Sequence, residues 1–444
     1  MIKKSIYHFC LLCVTLLFSF VVKAQTQEVL SLEKAKQLAI SQNKLLEIQQ
    51  EKVNELNFKK DETGANSLPM LYLTGNYAHT FNDDNSIVIP QGALGSIGDF
   101  SIPGQNLTVY EGKQNMLTGG LLAYQPLTQL LRVNNGVKAI EAQAKVEQFK
   151  LKAAQSKIEN SIEKLYYAVR IQEKKLETAQ TNIDWAKAKL YDAESALLAK
   201  QIQNVNVIGL KADLADKKHD YLVEEIALDN YLVDLKTTLM LPDSVDVKLE
   251  DQPIKIYNLN SKAYYLSQAN NNNELLGAKK QIEAANYGTK AAKNAYLPDL
   301  GVIGGVTYQN VISELPSTSY YLGVNFTWNV LGFVKHRAQL GESISKQNQA
   351  KAYAEHTISK INGAIEKGYR NAIQAQKLMD VADEAYNFRL EEYRIKKDGL
   401  DSGLLTKKEL LETKYTLDKA KQDAFSSRLN FNMAVLDLNT LIGL

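Results

Sequence analysis

Cysteine is nearly absent from this 444-residue chain: there are two, Cys10 and Cys13, both within the first 24 residues. That segment begins with Lys3 and Lys4, runs through the uncharged apolar stretch Phe9 to Val22, and ends in Val22-Lys23-Ala24. It reads as an export signal, residues 1–24, cleaved after Ala24. Neither cysteine follows the small residue that lipid acylation requires. The exported chain would carry no thiol, which excludes disulfides and thiolate metal sites. A strong charge of either sign is also lacking. The net charge of +2, less the three signal lysines, leaves about −1, without the basic footprint of a nucleic-acid binder. After the signal no run approaches 18 apolar residues, so no transmembrane helix is expected. Strands remain a possible route into a membrane.

Proline is scarce, and its placement sets the organisation. The eight prolines leave 127–241 and everything after 316 free, so long helices can run there unbroken. Both regions carry heptads. Ile158, Ile162, Leu165, Val169, Leu176, Ala179, Ile183, Ala186, Leu190, Ala193 and Leu197 follow steps of 4 and 3, with Gln172 the polar exception. Ile358, Ile361, Ile365, Ala372, Ala375, Met379, Ala382, Tyr386 and Tyr393 keep the same frame. Each seam is answered by a descending one: Leu214, Tyr221, Leu228 and Leu235, then Leu410, Leu417, Ala424, Phe431 and Leu438. Such repeats predict coiled-coil hairpins turning at Gln201–Asn206 and Asp398–Gly403. A helix of about 65 residues would reach roughly 100 Å.

The two halves repeat each other. LSLEKAKQLAISQNKLLEI at 30–48 resembles NLNSKAYYLSQANNNNELLGA at 258–278. Each predicts a helix of about 35 to 40 residues that reaches Leu-Pro, then a strand, a loop, a second strand and the hairpin. The expected repeats are 25–240, with strands near 69–81 and 115–127 and a hairpin over 130–240, and 258–444, with strands near 298–310 and 319–331 and a hairpin over 334–442. A linker, 241–257, joins them. The period of about 230 residues is too long for a solenoid and indicates duplication.

At Leu-Pro the apolar period changes to 2. Leu300, Val302, Val306 and Tyr308 share one face of the third strand. In the fourth, Tyr320, Leu322, Val324, Phe326, Trp328 and Val330 oppose Ser319, Tyr321, Gly323, Asn325, Thr327 and Asn329. In the first, Leu71, Leu73, Tyr77 and Phe81 oppose Tyr72, Thr74, Asn76 and Thr80; the second strand leaves its register open. A soluble sandwich and a membrane barrel both fit this alternation. Export, four strands per chain where a closed barrel needs more, and the long glycine-rich loop 81–114 favour a barrel shared among several chains. Tyr320, Leu322, Val324, Phe326 and Trp328 are then the lipid-facing candidates.

This duplicated helix–strand–strand–helix–helix plan resembles the TolC-like outer membrane efflux proteins over nearly the whole exported chain. The most specific stretch is DGLDSGLLTKKELLETKYTLDKAKQDAFSSRLNFNMAVLDLNTLIG, 398 to 443, with Gly403 at the family's tip glycine; ALDNYLVDLKTTL, 227 to 239, is similar to the corresponding helix of the first half. The resemblance implies a mainly α fold with a β-barrel portion: a homotrimer whose four strands per chain form a 12-stranded barrel in outer membrane lipid above a periplasmic helical tube. It implies no cofactor and no catalysis. The partners it implies are a periplasmic adaptor and an inner-membrane transporter of RND, ABC or MFS type. Gly403, Glu409 and Glu412 would stand at the periplasmic entrance, the two glutamates sharing a helix face. Lys200, Asn206, Gly399 and Gly403 would offer the adaptor contacts at the hairpin tips. The sequence departs from the family at Lys200, where a glycine is usual, and at Asn206, where a carboxylate is usual.

Enzyme signatures are missing. His79, His219, His336 and His356 lack metal-ligand spacing, and there is no phosphate-binding loop or G-x-S-x-G elbow. FNDDN at 81–85 lacks the rest of a calcium loop. The competing reading is a periplasmic coiled-coil adaptor or scaffold without a barrel, although two hairpins and no lipoyl-like segment fit that class poorly.

Overall fold

The computed structural model describes residues 28–81, 86–111, 113–242, 244–251, 253–312 and 315–444. The expected export signal and most of FNDDN lie outside these residues. In chain order the elements begin with β1 (Glu28–Leu30), α1 (Leu32–Gln42), α2 (Lys44–Ala65) and β2 (Met70–His79). The loop carries β3 (Ile87–Ile89), β4 (Ser96–Ile97), β5 (Phe100–Ser101) and β6 (Leu107–Tyr110). Then come β7 (Asn115–Pro126), α3 (Gln129–Leu198), α4 (Asn204–Thr238) and β8 (Val247–Leu249). The second half has α5 (Lys262–Gln268), α6 (Asn273–Asn294), β9 (Asp299–Gln309), β10 (Thr318–Thr327), α7 (Phe333–Asp401) and α8 (Lys407–Leu441).

The hairpin helices run unbroken, with 70 residues in α3 and 69 in α7. Seam positions Ile162, Val169, Ile183, Leu235, Ile361, Ile365, Ala424, Phe431 and Leu438 are buried. Gln172, the polar member, is buried as well; its amide donates to Glu224 O at 2.9 Å and to the Glu224 carboxylate at 2.5 Å, tying α3 to α4.

The expected 35–40-residue helix that opens each repeat is two helices. The first of each pair is capped by serine: Ser31 Oγ accepts from Lys34 N and Ser261 Oγ from Tyr264 N, each at 3.3 Å. Both break at an asparagine. Asn43 Oδ1 accepts from Leu45 N at 2.9 Å, and Asn272 Oδ1 from Glu274 N at 2.8 Å. The short side chain satisfies amides that the preceding helix would otherwise bond, so a new helix starts there.

The segment 241–257 is more than a linker. Its strand β8 pairs in parallel with β1, Glu28 opposite Val247 and Leu30 opposite Leu249. Three-residue strands are too short to reveal a period in sequence. By packing, the chain divides into two compact units, and each draws on both repeats. The first comprises residues to Gln50, Phe149–Leu276 and His356–Leu444; the second, Glu51–Gln148 and Gly277–Glu355. The first unit's core joins Leu30, Val247 and Leu249 to Ile162, Val169, Leu235 and Leu239. At its centre Glu163 is fully buried. It pairs with Lys36, accepts from Tyr257 Oη at 2.5 Å and accepts from Tyr167 Oη at 2.8 Å. Burial and the adjacent carboxylate push both tyrosine hydroxyls upward, so they stay protonated and donate. Arg170 Nη1 donates to Glu250 O at 2.9 Å and its Nη2 pairs with Asp251. Asn432 is also fully buried; it accepts from Tyr257 N at 2.9 Å and donates to Lys255 O at 2.8 Å. The chain between the halves is thus pinned by side chains of α3 and α8.

In the second unit β10, β9, β7 and β2 form, in that order, an antiparallel sheet. Its register settles the second strand. Leu121 lies opposite Leu73 on one side and Val306 on the other, and Val306 lies opposite Tyr320. Paired residues share a face, so the outward set is Leu71, Leu73 and Tyr77, then Leu117 and Leu121, then Val302 and Val306, then Tyr320, Leu322, Val324 and Phe326. The expected loop between β2 and β7 carries two small ribbons, β3 with β6 and β4 with β5.

Removing one member of the buried pair should cost far more than removing both. Lys36→Met strands the Glu163 charge and is expected to destabilise the protein by about 3 kcal/mol. The double variant Lys36→Met/Glu163→Leu should recover much of that loss. Thermal unfolding followed by circular dichroism in mild detergent compares them; a double variant worse than the single one would contradict this account.

Candidate channel wall and hairpin tips

The sheet of the second unit has two open edges, β2 and β10, and an uncovered apolar face. Leu73 is 84% exposed, Tyr320 81%, Leu322 83% and Val324 72%. Phe326 is exposed beside them. Trp328 departs from expectation: β10 ends at Thr327, and the indole lies past the strand, edge-on to Phe333 with centroids 6.0 Å apart. The change of structure has a local cause. Asn329 Oδ1 accepts from Gly332 N at 2.9 Å and caps a single 3-10 turn, Val330–Gly332, that feeds α7.

The opposite face carries the small and polar residues Thr74, Asn76, Thr118, Gly120, Thr307, Ser319 and Asn325, together with Tyr72, Leu122, Tyr124, Ile303 and Tyr321. Two of its glycines make room for rings. A Cβ at Gly301 would run into the Tyr124 ring, and one at Gly305 would meet the backbone oxygen of Leu121 first and then sit 3.1 Å from Tyr321 Oη.

The hairpin tips belong to the first unit. They are built alike although their sequences differ. In the first, Lys200 N donates to Leu197 O and Gln201 N to Ala196 O, each at 2.9 Å. In the second, Gly403 N donates to Leu400 O at 2.9 Å and Leu404 N to Gly399 O at 2.8 Å. Both are helix C-caps closed by a left-handed residue, with φ +58 at Lys200 and +75 at Gly403. Lys200 therefore adopts the conformation a glycine would take there, at a steric cost.

The descending helices start differently. Thr406 caps α8 in a reciprocal box: Glu409 N donates to Thr406 Oγ1 at 3.3 Å, while Thr406 N donates to Glu409 Oε2 at 2.8 Å. These bonds hold the Glu409 carboxyl below the usual range. Glu409 thus has a structural task that its spacing alone did not reveal, although Thr406-x-x-Glu409 is the sequence signature of such a box. Glu412, one turn on, is exposed. In α4 the equivalent positions are Gln203, which makes no side-chain cap, and Asn206. Gly399 lies in the last turn of α7, where an added Cβ would lie 2.9 Å from Leu405 Cδ1.

Above the tips α3 and α8 are cross-linked by contacts that sequence reading missed. Trp185 stacks on Tyr415 with centroids 5.6 Å apart and planes 16° from parallel. Thr181 Oγ1 donates to Asp418 Oδ2 at 2.8 Å. Trp185 lies off the apolar seam of α3, which was the available hint of a second packing partner. Two further seams are exposed and have no partner among the described residues. Val205, Ile208, Leu222, Ile226 and Val233 of α4 are exposed on one seven-residue frame, and so are Leu378, Val381, Phe388 and Ile395 of α7.

Among the described residues no helix is long and apolar enough to cross a membrane, and no cluster of three or more His, Cys, Asp or Glu could hold a metal. Residues 265–444 match the family model described as outer membrane efflux protein. Over that stretch, which is most of the second repeat, the chain is similar to the outer membrane efflux proteins. No curated protein sequence matches it. Solved structures with the same fold include the outer membrane protein VceC of Vibrio cholerae, at 15% identity and TM-score 0.71, covering 93% of this chain and 96% of that one. The outer membrane channel CmeC of Campylobacter jejuni is 16% identical, with TM-score 0.70 and 93% and 85% covered. A membrane protein of Pseudomonas aeruginosa is 14% identical, with TM-score 0.70 and 96% and 91% covered. These likenesses show the fold: the TolC-like plan of duplicated hairpins and paired strands.

The capping box gives a signed pH dependence. Because the folded Glu409 carboxyl titrates below its ordinary value of 4.5, its contribution is complete above that value and is lost as the pH falls through the lowered one. The start of α8 should exchange its amides faster at pH 3 than at pH 6 after correction for intrinsic exchange. Thr406→Ala should lose about 1 kcal/mol and most of that pH dependence.

Proposed function

We propose that this chain is an outer membrane efflux protein and the passive exit duct of a tripartite efflux or secretion system. It works as a homotrimer that receives cargo from a periplasmic adaptor and an inner-membrane transporter of RND, ABC or MFS type. The observation that carries the reading is the open sheet: four strands, two unpaired edges and an uncovered apolar face. A bilayer supplies no hydrogen bonds to strand edges, so the edges must be closed by other copies. Three copies of four strands give 12, enough to enclose a lumen lined by the opposite face. The unpartnered seams of α4 and α7 support the same assembly, since each can zip against a neighbouring copy. No chemistry is required of the duct. An adaptor or scaffold without a barrel would leave the Tyr320 to Phe326 face in water, which makes it the weaker reading.

The periplasmic end, by this proposal, rests closed and is opened by the adaptor, which acts through greater affinity for the open state. The second hairpin, with Gly399 and Gly403, is the part that moves; the first stays fixed. Opening must release α8 from α3, so the Trp185–Tyr415 stack and the Thr181–Asp418 bond resist it. Lys200, Asn206, Gly399 and Gly403 form the adaptor-facing tips. Glu409 and Glu412 give the entrance its negative charge, which favours cations.

Mass measurement in mild detergent should return a trimer, and the chain should fractionate with the outer membrane. Val324→Arg, on the lipid face, costs about 2–4 kcal/mol at the midplane and should impair assembly far more than Asn325→Arg on the lumen face. Equal effects would mean the faces are misassigned.

Isolated channels in a planar bilayer should be cation-selective and blocked by multivalent cations. Glu412→Gln should weaken both properties more than Glu409→Gln, because Glu409 is engaged in its cap, and the double variant most of all, with trimer mass unchanged. Selectivity unaltered in the double variant would return both residues to the solvated helix surface.

A further inference from the structure

The junction where β10 becomes α7 is built unlike an ordinary strand–helix turn. Going down the chain, the apolar face ends at Phe326. An aromatic group follows: Trp328 stands edge-on to Phe333, and Tyr296 stacks on Phe333 with centroids 6.0 Å apart and planes 22° from parallel. Leu331 and Val334, beside them, are 92% and 81% exposed. Lys335 and Arg337 lie in the same stretch, directly after Val334. Both are exposed, and among the described residues neither forms an ion pair.

Nothing in the helix asks for these cations. They lie in the first turns of α7, where the helix dipole disfavours positive charge, and no acidic residue is present in the first turn to offset them. The sequence from Leu315 to Gly341 contains no Asp or Glu at all. The first repeat does the same on the corresponding side: no acid from Asn115 to Ile140, no acid in the first turn of α3, exposed Leu131, and then Arg132. By contrast α8, at the far end of its hairpin, starts with Glu409 in its first turn. The order apolar, aromatic, cationic is that of a lipid interface read from acyl chain to headgroup.

We infer that this junction is a binding surface for anionic phospholipid: acyl chains lie along Val324 and Phe326, the glycerol region against Trp328 and Phe333, and a phosphate at Lys335, while Arg337, two residues on and so on another side of α7, adds positive potential for a neighbouring headgroup. The inference rests on the proposed membrane reading and adds a headgroup class to it. Its occupant is a phospholipid of the bilayer leaflet at which the strands end.

The test uses the full-length oligomer with Trp185→Phe, which leaves Trp328 as the only tryptophan, reconstituted in bilayers. Trp328 fluorescence is quenched with brominated phosphatidylglycerol or with brominated phosphatidylcholine at equal mole fraction. The expected result is stronger quenching by the anionic lipid, reflecting a local enrichment of about five-fold for each cation. Lys335→Gln/Arg337→Gln should remove the preference while leaving phosphatidylcholine quenching and oligomer mass unchanged, which shows that the variant is folded. Equal quenching by both lipids in the parent would overturn the inference while leaving the membrane reading intact. A preference that survives in the double variant would also overturn it. No quenching by either lipid would sink the membrane reading itself.

Discussion

The unpaired edge of a β-strand is the constraint on which this molecule turns. Along the outer edges of β2 and β10 the backbone N–H and C=O groups have no strand partner among the described residues, and beside them stands a face of leucine, valine and aromatic side chains. Water could satisfy the edges but not the face; lipid could satisfy the face but not the edges. A single copy therefore has no medium in which this sheet is at rest. Under the proposed assembly, closure by further copies resolves both demands together, and each repeat supplies a strand pair and a helical hairpin to it.

The helical part repeats this logic with a different interaction. Inside the chain one heptad seam of each hairpin is buried, and polar anchors such as Gln172 to Glu224 fix its register. A second seam on α4 and another on α7 are left unanswered. Where the chain must not slip, it uses hydrogen bonds to buried charge instead. Glu163, held by Lys36, Tyr167 and Tyr257, and Asn432, which brackets residues 255 to 257, fasten the connection between halves to the helices that flank it. Such a network is worth little if incomplete, because a stranded carboxylate in that core would be costly.

Most of the fold was legible in the sequence because its signals are long. Sixty or more residues without proline and with a sustained 3.5-residue period admit few readings, and the switch at Leu68-Pro69 and Leu297-Pro298 marks both strand entries. The failures were short-range. Asn43 and Asn272 break helices by side-chain capping that no period reveals. The pairing of β1 with β8 involves three residues a side and is set by tertiary packing. Trp328 continued the alternation on paper, yet the Asn329 cap had already ended the strand. At the candidate entrance, spacing placed Glu409 and Glu412 on one face but could not show that Glu409 is engaged with Thr406. Lys200 looked like a departure from the expected tip, and the structure gives it the same turn as Gly403.

The glycines beneath Tyr124 and Tyr321 have a consequence for transport. With no side chain at Gly301 and Gly305, each ring can lie along the sheet instead of standing away from it. Under the proposed assembly three copies would line the bore with six such rings, laid flat and carrying hydroxyls where other walls carry charge. A wall of that kind widens the passage without adding strands. It also offers a moving molecule shallow, roughly equal contacts and no deep resting place, which a conduit needs if what enters is also to leave.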